Sequence, residues 1–210
     1  MKKDQFPDEK RQVSLQIGVT GGIGTGKTTV CKIFESIGIP VYYADDRAKN
    51  IMVENLSVRQ QIIDLLGEES YFENGQLNRS YIAKVVFKES DKLKILNSIV
   101  HPAVREDGEK WHQSQIGTPY TIKEAALMIE SGSYKSLDRL ILVTAPDELR
   151  IKRVMARDNS TRKEVLSRIE KQMPETEKMK YADFVINNDG SESLVKQVYT
   201  IHQKLKSLAL

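Results

Sequence analysis

Disulfide bonds and membrane-spanning segments are the first features that this 210-residue sequence excludes. Its single cysteine, Cys31, has no second cysteine to pair with and no histidine or cysteine nearby at metal-ligand spacing. No apolar run reaches the roughly 18 residues that a transmembrane helix requires. The first twelve residues are polar and charged, and they lack the apolar stretch of a secretory signal peptide. We therefore expect a cytoplasmic protein that does not enter a membrane and begins with a polar leader, residues 1–14.

A large excess of charge of one sign is also missing. The chain has 32 lysines and arginines against 29 aspartates and glutamates, which gives a formal net charge of +3. A nucleic-acid-binding domain usually carries a much stronger basic footprint. The charge alone leaves the partner open, and the motifs described below lead us to expect small-molecule substrates and no nucleic acid. Hydrophobic residues make up 40% of the chain, as in ordinary globular proteins. The composition leaves the oligomeric state open, a monomer included.

Short apolar segments alternate with segments of helical periodicity. The segments predicted as strands are 15–20, 40–43, 126–129, 140–144 and 184–186. Those predicted as helices are 27–37, 146–157 and 161–173, the last with Thr161 and Glu164 in capping-box register. Strands that alternate with helices predict an α/β fold of three layers, with a parallel sheet between helices.

Residues 55–115 interrupt this alternation, because their pattern is helical and contains no strand signal. Asn78 and Ser90 are typical helix N-caps, and they precede helices predicted over 79–87 and 91–100. We therefore expect an all-helical insertion on the α/β core, without a linker that would separate independent domains. The predicted single domain spans residues 15–210 and has core segments 15–54 and 116–210.

A glycine-rich segment after the first predicted strand matches the phosphate-binding pattern G-x-x-x-x-G-K-[ST] in full. Glycine lets backbone N–H groups turn toward phosphate oxygens, and the following helix directs the positive end of its dipole at the same anion. The residues predicted to bind the nucleotide are Gly21, Gly22, Gly24, Thr25, Gly26, Lys27, Thr28 and Thr29. This loop predicts binding of ATP or GTP.

The side chains of the loop predict how the phosphates are held. Lys27 is expected to bridge the β- and γ-phosphates and to act in catalysis, while the Thr28 hydroxyl suits Mg²⁺ bound together with ATP. The sequence lacks the Asn-Lys-x-Asp segment that GTPases use to recognise guanine. The predicted strand 140–144 is not followed by the aspartate typical of motor and transporter ATPases. A small kinase that uses ATP is therefore favoured.

Residues 150–172 carry eight lysines or arginines and three acidic residues, which is the charge expected of a lid that closes over phosphates. Arg153 and Arg157 are one helical turn apart, so both guanidinium groups can reach the same phosphate region. We predict Arg153 as a catalytic residue and Arg157 as a nucleotide contact. A solvated helical hairpin is the alternative.

Asp45 is the candidate for the catalytic base. It follows the short strand predicted at 40–43, and ligands of open α/β sheets bind beyond the carboxyl ends of the strands. An aspartate there can accept a hydroxyl proton or position Mg²⁺. The adjacent Asp46 is the alternative candidate for the base, and either residue could instead cap the following helix.

The ordered set of motifs resembles the dephospho-coenzyme A kinase family over about residues 16–205. The segment IGVTGGIGTGKTTV is close to the family's TGGIGSGKS. The other matching segments are 96–102, 126–130 and 182–188, together with Arg153, Arg157, Asp158, Arg168 and Gln172 in the lid. The resemblance implies a P-loop kinase that uses ATP to phosphorylate the ribose 3′-hydroxyl of dephospho-coenzyme A, the last step of coenzyme A synthesis.

The resemblance also places Asp45 on the aspartate that the family is thought to use as the base. Two positions depart from the family pattern, because Tyr43 replaces its first aspartate and Ala126 replaces the proline of its strand motif. Neither change removes a group that the reaction needs. Another small-molecule or nucleoside monophosphate kinase, and an ATP-switched module that binds nucleic acid through residues 150–172, are the competing interpretations.

Four further residues are candidates for contacts with the acceptor. His101 either donates a hydrogen bond to the acceptor or fixes a helix junction next to Pro102. Arg79 and Arg105 either contact the acceptor's phosphates or belong to the surface. Glu130 either holds the lid or a ligand in place or caps the end of a strand.

Overall fold

The computed structural model describes residues 14–209, so the predicted leader lies outside the described residues except for Ser14. Within them the strands are β1 (Leu15–Thr20), β2 (Val41–Tyr43), β3 (Tyr120–Glu124), β4 (Arg139–Thr144) and β5 (Phe184–Asn187). The α-helices are α1 (Lys27–Ser36), α2 (Ala44–Glu54), α3 (Leu56–Leu66), α4 (Arg79–Lys88), α5 (Ser90–Ser114), α6 (Asp147–Asp158), α7 (Arg162–Glu170), α8 (Glu175–Lys178) and α9 (Leu194–Leu208).

The strands form one parallel sheet in the order β2-β3-β1-β4-β5. In the central strand β1, Val19 pairs with Glu124 of β3 on one side and with Ile141 of β4 on the other. Glu124 also pairs with Tyr43 of β2. The carboxyl ends of β1, β2 and β3 therefore meet at one edge, which is where open α/β sheets bind ligands.

Helices cover both faces of the sheet. Phe34 of α1 and Leu205 of α9 are fully buried against Ile122 and its neighbours on one face. On the other face α5 lies so close that the Tyr42 hydroxyl, which donates to the Asp107 carboxylate at 2.7 Å, is 3.2 Å from the carbonyl oxygen of Val104. The predicted three-layer α/β fold is confirmed.

The helices α2 to α5 share a separate apolar cluster beside the sheet. Ile51, Ile62, Ile82 and Val100, one from each helix, are buried together in it. The helical region thus begins with α2, before residue 55, because Ile51 of α2 packs in the same cluster. Asn78 caps α4 as predicted, through its side-chain oxygen.

The prediction of a strand over residues 126–129 is wrong. The strand is β3, six residues earlier, and residues 126–129 form turns. Tyr120 and Ile122 are fully buried, but Thr121 and Lys123 alternate with them and hide the strand from an apolar-run criterion. Residues 126–129 are apolar because Met128 is buried against Leu140 of β4 as part of a turn.

The predicted cap at Ser90 and the predicted helix end at Val100 are also wrong. The N-cap of α5 is Glu89, and the helix runs without interruption to Ser114 with Pro102 inside it. A proline removes one helical hydrogen bond. Packing outweighs that loss, because Val100 and Val104, on either side of the proline, are buried one turn apart in the same cluster.

The remaining predicted elements are confirmed, with bounds that differ by at most three residues. α7 starts with the expected capping box, in which the Thr161 hydroxyl accepts from the Glu164 N–H and Glu164 accepts from the Thr161 N–H. Cys31 is fully buried in the core beside β1. Among the helices of residues 14–209, none combines the length and apolar character that crossing a membrane requires.

Candidate active site

The glycine-rich loop lies between β1 and α1, and its backbone conformation requires glycine. Gly24 and Gly26 have φ angles of +81° and +91°, which L side chains rarely adopt. A Cβ atom at Gly24 would lie 2.7 Å from the Arg150 carbonyl oxygen, and one at Gly26 would lie 2.2 Å from Asn188 Nδ2. The loop therefore forms the tight backbone cradle that the motif predicts, with α1 starting at Lys27.

Lys27 points back over the loop. Its Nζ donates to the carbonyls of Gly21 at 3.0 Å and Gly22 at 3.3 Å. Burial lowers the pKa of Lys27, while the nearby carboxylates of Glu124 and Asp45 oppose that shift. The ammonium group is thus held at the loop by two backbone oxygens, where an incoming phosphate would meet it, and it forms no ion pair with either carboxylate.

A cleft of about 940 Å³ opens in front of the loop. This volume is at the upper end of ligand sites and suits two substrates side by side. The predicted residues that line it are Gly24, Gly26, Lys27, Thr28, Thr29, Asp45, Arg153 and Arg157. Gly21, Gly22 and Thr25 lie in the same loop but are buried behind this lining, Gly21 and Gly22 as carbonyl acceptors of Lys27.

Asp45 and Asp46 occupy the first turn of α2 at the edge of this cleft. Neither caps the helix through its side chain, because the N-cap is Tyr43 and makes no side-chain cap bond. Asp46 forms an ion pair with Lys49 at 2.6 Å. The carboxylate of Asp45 has no hydrogen bond or ion pair with residues 14–209, so it is free to accept a proton from a ligand.

Glu124 is a cleft residue that sequence reasoning missed. It ends β3 and is buried, with 6% exposure. Burial raises the pKa of its carboxyl group, and Lys27 opposes the shift. The alternation of buried and polar residues that ends at Glu124 could have indicated a strand with a glutamate at its carboxyl end. The strand predicted at 126–129 places Glu124 outside any strand, which is why this residue is not among the predicted site residues.

Arg153 contacts the loop directly, through Nη1 and the Gly24 carbonyl at 3.5 Å, and also through Asn188, which was not a predicted site residue. The Nη2 of Arg153 donates to the backbone and side-chain oxygens of Asn188, at 3.1 and 3.2 Å. Asn188 Nδ2 in turn donates to the Thr25 carbonyl at 2.7 Å. The guanidinium of Arg153 is therefore fixed beside the loop while it lines the cleft.

Arg150 belongs to the predicted lid segment, but its role differs from that of the other lid cations. Arg150 is buried, with 3% exposure, and its Nε donates to the Ile23 carbonyl at 3.0 Å. Its Nη1 contacts Asp147 at 2.7 Å and Glu175 at 3.3 Å. Because α6 starts directly behind the loop, this arginine supports the loop from the back and is not available to a substrate.

The rest of the lid segment covers the loop from the other side. Ile23 packs against the apolar cluster of α6 and α7, and its N–H donates to Gln172 Oε1 at 2.9 Å. Arg157 and Arg168 both bind Asp158, at 2.7 and 3.0 Å. The hairpin thus contacts the phosphate loop, and Asp158 holds two of its arginines in place.

The structure does not bring the four predicted acceptor residues into the lining of the cleft. Arg79 is exposed at the start of α4, and His101 is exposed within the continuous helix α5, so there is no junction for it to fix. Arg105 lines a different cavity. Glu130 does not line the cleft. Its carboxylate pairs with buried Lys178 at 2.8 Å and accepts from the Met173 N–H at 3.2 Å, directly after the lid segment, which agrees with the alternative that it holds the lid in place.

The oxygen donors of the cleft suit a magnesium ion that arrives with a nucleotide. The Thr28 hydroxyl and the carboxylates of Asp45 and Glu124 line it. No group of three His, Cys, Asp or Glu residues in the described part of the chain could hold a metal ion alone. Mg²⁺ keeps several waters and takes its remaining ligands largely from substrate phosphates, so a sparse set of protein oxygens fits it.

Comparisons with known proteins agree with this geometry. The family model described as dephospho-CoA kinase matches residues 15–193. The dephospho-CoA kinase of Bacteroides fragilis is 37% identical over 186 residues, which cover 89% of this chain and 90% of that protein. The dephospho-CoA kinase of Salinibacter ruber is 41% identical over 177 residues, covering 83% of this chain and 89% of that protein.

A solved structure shows the same fold. That of dephospho-CoA kinase from Campylobacter jejuni superposes with a TM-score of 0.68 at 27% identity, covering 93% of this chain and 98% of that one. The family match thus extends from the first residue of β1 through β5, and includes the phosphate loop, Asp45 and the lid arginines. The chain belongs to the dephospho-CoA kinase family and is an enzyme of the P-loop kinase fold.

Proposed function

We propose that the chain transfers the γ-phosphoryl group of ATP to the ribose 3′-hydroxyl of dephospho-coenzyme A, which yields coenzyme A and ADP. The observation that carries this proposal is an unpaired carboxylate, Asp45, in the same cleft as a complete phosphate loop. The family relationship supports the identity of the acceptor.

In the proposed reaction Asp45 is the base. Its carboxylate accepts the proton of the attacking hydroxyl as a bond forms between that oxygen and the γ-phosphorus. The bond from the γ-phosphorus to the oxygen bridging it to the β-phosphate breaks on the opposite side, in line. Asp46 is less suited to this role, since Lys49 already binds it.

Lys27, Arg153 and Arg157 balance the charge of the phosphates. All three line the cleft, and Arg153 is held there by Asn188. Lys27 exchanges its backbone carbonyl partners for the β- and γ-phosphates, and the N–H groups at the start of α1 face the same anion. Fixed positive groups of this kind stabilise the transferring phosphoryl group without reorganising during the reaction.

Mg²⁺ would add positive charge between the β- and γ-phosphates when bound. Thr28 is the protein ligand that we assign to it, as the phosphate-loop motif requires. The carboxylates of Glu124 and Asp45 line the same cleft and would attract the cation through their charge.

Lys32 is a candidate for the acceptor's diphosphate. It follows Thr28 by one turn of α1 and lines the cleft. Lys49 also lines the cleft, but its ammonium group already pairs with Asp46 at 2.6 Å. Arg79, His101, Arg105 and Glu130 do not line it. Those four residues would need a movement of the helical region or of the 125–137 segment to reach the acceptor.

The proposal is tested by asking which acceptor the enzyme phosphorylates. ADP release is measured with ATP and Mg²⁺ in the presence of dephospho-coenzyme A, of nucleoside monophosphates or of small alcohols, each at the same concentration. We expect turnover with dephospho-coenzyme A and a product whose new phosphate is on the 3′ oxygen, identified by ³¹P and ¹H NMR. Turnover with another acceptor alone would remove dephospho-coenzyme A as the substrate.

A further inference from the structure

A second cavity, of about 270 Å³, lies on the face of the sheet that α1 does not cover. Strand alternation places Lys123 on this face, because its neighbour Ile122 is buried against α1 and α9 on the other. Helix α5 forms the opposite wall, through Arg105, Glu109 and His112. This cavity and the cleft in front of the phosphate loop share no lining residue.

The lining is polar where packing alone would favour apolar side chains. Interior strands of a parallel sheet covered on both faces usually carry apolar residues. Lys123 nevertheless stands on β3, which pairs with β1 and β2 on its two sides. On α5, Arg105, Glu109 and His112 follow helical spacing along the side of the helix that lines the cavity, where Arg105 and Glu109 are exposed and His112 is half-buried. His112 ties α5 to the sheet through a hydrogen bond with the Thr121 hydroxyl at 2.8 Å, whereas the side chains of Lys123, Arg105 and Glu109 make no hydrogen bond within residues 14–209.

The two cations of the cavity have no partner in the described chain. Neither the half-buried Lys123 nor Arg105 makes a hydrogen bond or an ion pair with residues 14–209. Burial and the charge of Arg105 lower the pKa of Lys123, and Glu109 opposes this shift. Glu109 is the carboxylate of the lining, so positive groups exceed negative ones there. A half-buried ammonium without a partner loses hydration that an anion would replace.

We propose that this cavity binds a small oxyanion of about the size of phosphate, held by Lys123 and Arg105. The volume admits such an anion with some of its water. The planar guanidinium of Arg105 can donate two parallel hydrogen bonds to phosphate or carboxylate oxygens, and the Lys123 ammonium supplies a point charge from the sheet. The site is separate from the phosphate loop, so it can be occupied together with ATP.

Trp111 makes the proposal directly measurable. It is the single tryptophan of the sequence, and it lines this cavity. The experiment uses the full chain with the phosphate loop saturated by Mg²⁺ and a non-hydrolysable ATP analogue. Radiolabelled inorganic phosphate is then titrated in equilibrium dialysis, which counts the sites, while Trp111 fluorescence locates the bound anion. Malonate in place of phosphate distinguishes a carboxylate ligand from a phosphate ligand.

We expect one further phosphate per chain and a saturable change in fluorescence. Lys123→Met and Arg105→Gln should each raise the Kd about tenfold, the effect of losing one charge-assisted hydrogen bond. The matched control is Lys110→Gln, next to Trp111 on the exposed side of α5, where Lys110 pairs with Glu106. Its Kd should stay unchanged. If Lys123→Met does not fold by circular dichroism, Arg105→Gln, on an exposed helical position, provides the same comparison.

Three results would overturn the proposal. The first is the absence of any bound phosphate beyond the saturated loop. The second is an equal Kd in the parent and in both cavity variants. The third is displacement of the phosphate by dephospho-coenzyme A, which would make Lys123 and Arg105 part of the acceptor site. None of these results bears on the phosphoryl transfer proposed above, which is tested by acceptor choice.

Discussion

Asp45 and Asp46 are adjacent carboxylates with different surroundings. Lys49 neutralises Asp46 at 2.6 Å, whereas the Asp45 carboxylate has no hydrogen-bond or ion-pair partner in residues 14–209. A base needs an accessible carboxylate oxygen that is not already occupied by a cation. The difference between the two residues therefore comes from the surroundings and could not be read from the dipeptide.

Asp45→Asn should lower kcat by about 10²- to 10⁴-fold, the usual contribution of a general base. The KM for ATP should stay within about twofold, because the phosphate loop is unchanged. Steady-state ADP release with dephospho-coenzyme A measures both constants. The matched control is Asp46→Asn, which we expect to keep kcat within a few-fold, since its carboxylate is bound to Lys49. Equal losses in the two variants would contradict the assignment of the base.

Glu124→Gln should stabilise the protein at neutral pH while it lowers activity. Burial raises the pKa of Glu124 above the ordinary value of 4.5, so ionisation costs more in the folded than in the unfolded state. Stability is therefore lost as the pH rises from below 4.5 through the higher folded pKa, and the amide avoids this loss. The Tm of the variant and of the parent is measured from pH 4 to pH 8 without nucleotide. The Tm of the variant should rise relative to that of the parent as the pH increases.

The control for this measurement is Glu68→Gln, at an exposed position outside the cleft. We expect the difference in Tm between this variant and the parent to stay the same across the pH range. A Glu124→Gln variant that loses stability at every pH would show that attraction to Lys27 outweighs the cost of burying the carboxylate.

At the scale of elements, the sequence predicted the parts that follow local rules. The phosphate loop, α1, β4 and the capping box of α7 were predicted because glycine, helical periodicity and capping act over a few residues. β3 was misplaced because Thr121 and Lys123 face a polar cavity and break its apolar pattern. Asn188 was missed as a site residue because its contact with Thr25 joins residues that are far apart in the chain.

A contact between α5 and α2 supplies a prediction at this scale. The carboxylate of Asp107 on α5 accepts two hydrogen bonds from Arg47 on α2, at 3.0 and 2.8 Å, and a third from the Tyr42 hydroxyl at 2.7 Å. These bonds, above all those from Arg47, lower the pKa of Asp107. Because Arg47 is two residues from Asp45, we expect this contact to help position the first turn of α2.

Asp107→Ala should destabilise the fold by about 1 kcal/mol, since the pair is partly exposed and solvent screens it. It should also lower kcat, through displacement of Asp45, with little effect on the KM for ATP. The control is Glu106→Ala, on the same helix, which breaks an exposed pair with Lys110 and should change neither quantity measurably. A stability loss in Asp107→Ala with unchanged kcat would show that the contact does not position the base. The loss should shrink as the pH falls below about 3.8 and through the lower folded pKa of Asp107, because the stabilisation that comes from the depressed pKa is complete above 3.8 and disappears over that range.

At the scale of the whole molecule, the phosphate loop is where distant parts of the chain meet. Arg150 of α6 binds Ile23 from behind, Gln172 binds it from the lid, and Asn188 after β5 binds Thr25. Nucleotide binding at the loop should therefore stabilise the core and the lid as well as the loop itself. Nucleotide binding is expected to stabilise the fold as one cooperative unit.

Mg²⁺ and a non-hydrolysable ATP analogue at about 100 times the Kd should add about 2.7 kcal/mol to the free energy of unfolding. For a chain of this size that raises the Tm by roughly 5–10 °C, measurable by calorimetry as a single shifted transition. Lys27→Met should lose most of this shift, yet its Tm without nucleotide should not fall, because burial already disfavours the charged lysine. Lys32→Met, one helical turn beyond Thr28, is the matched control and should keep the full shift. A transition that splits in two on adding nucleotide would contradict the coupling of the loop to the rest of the fold.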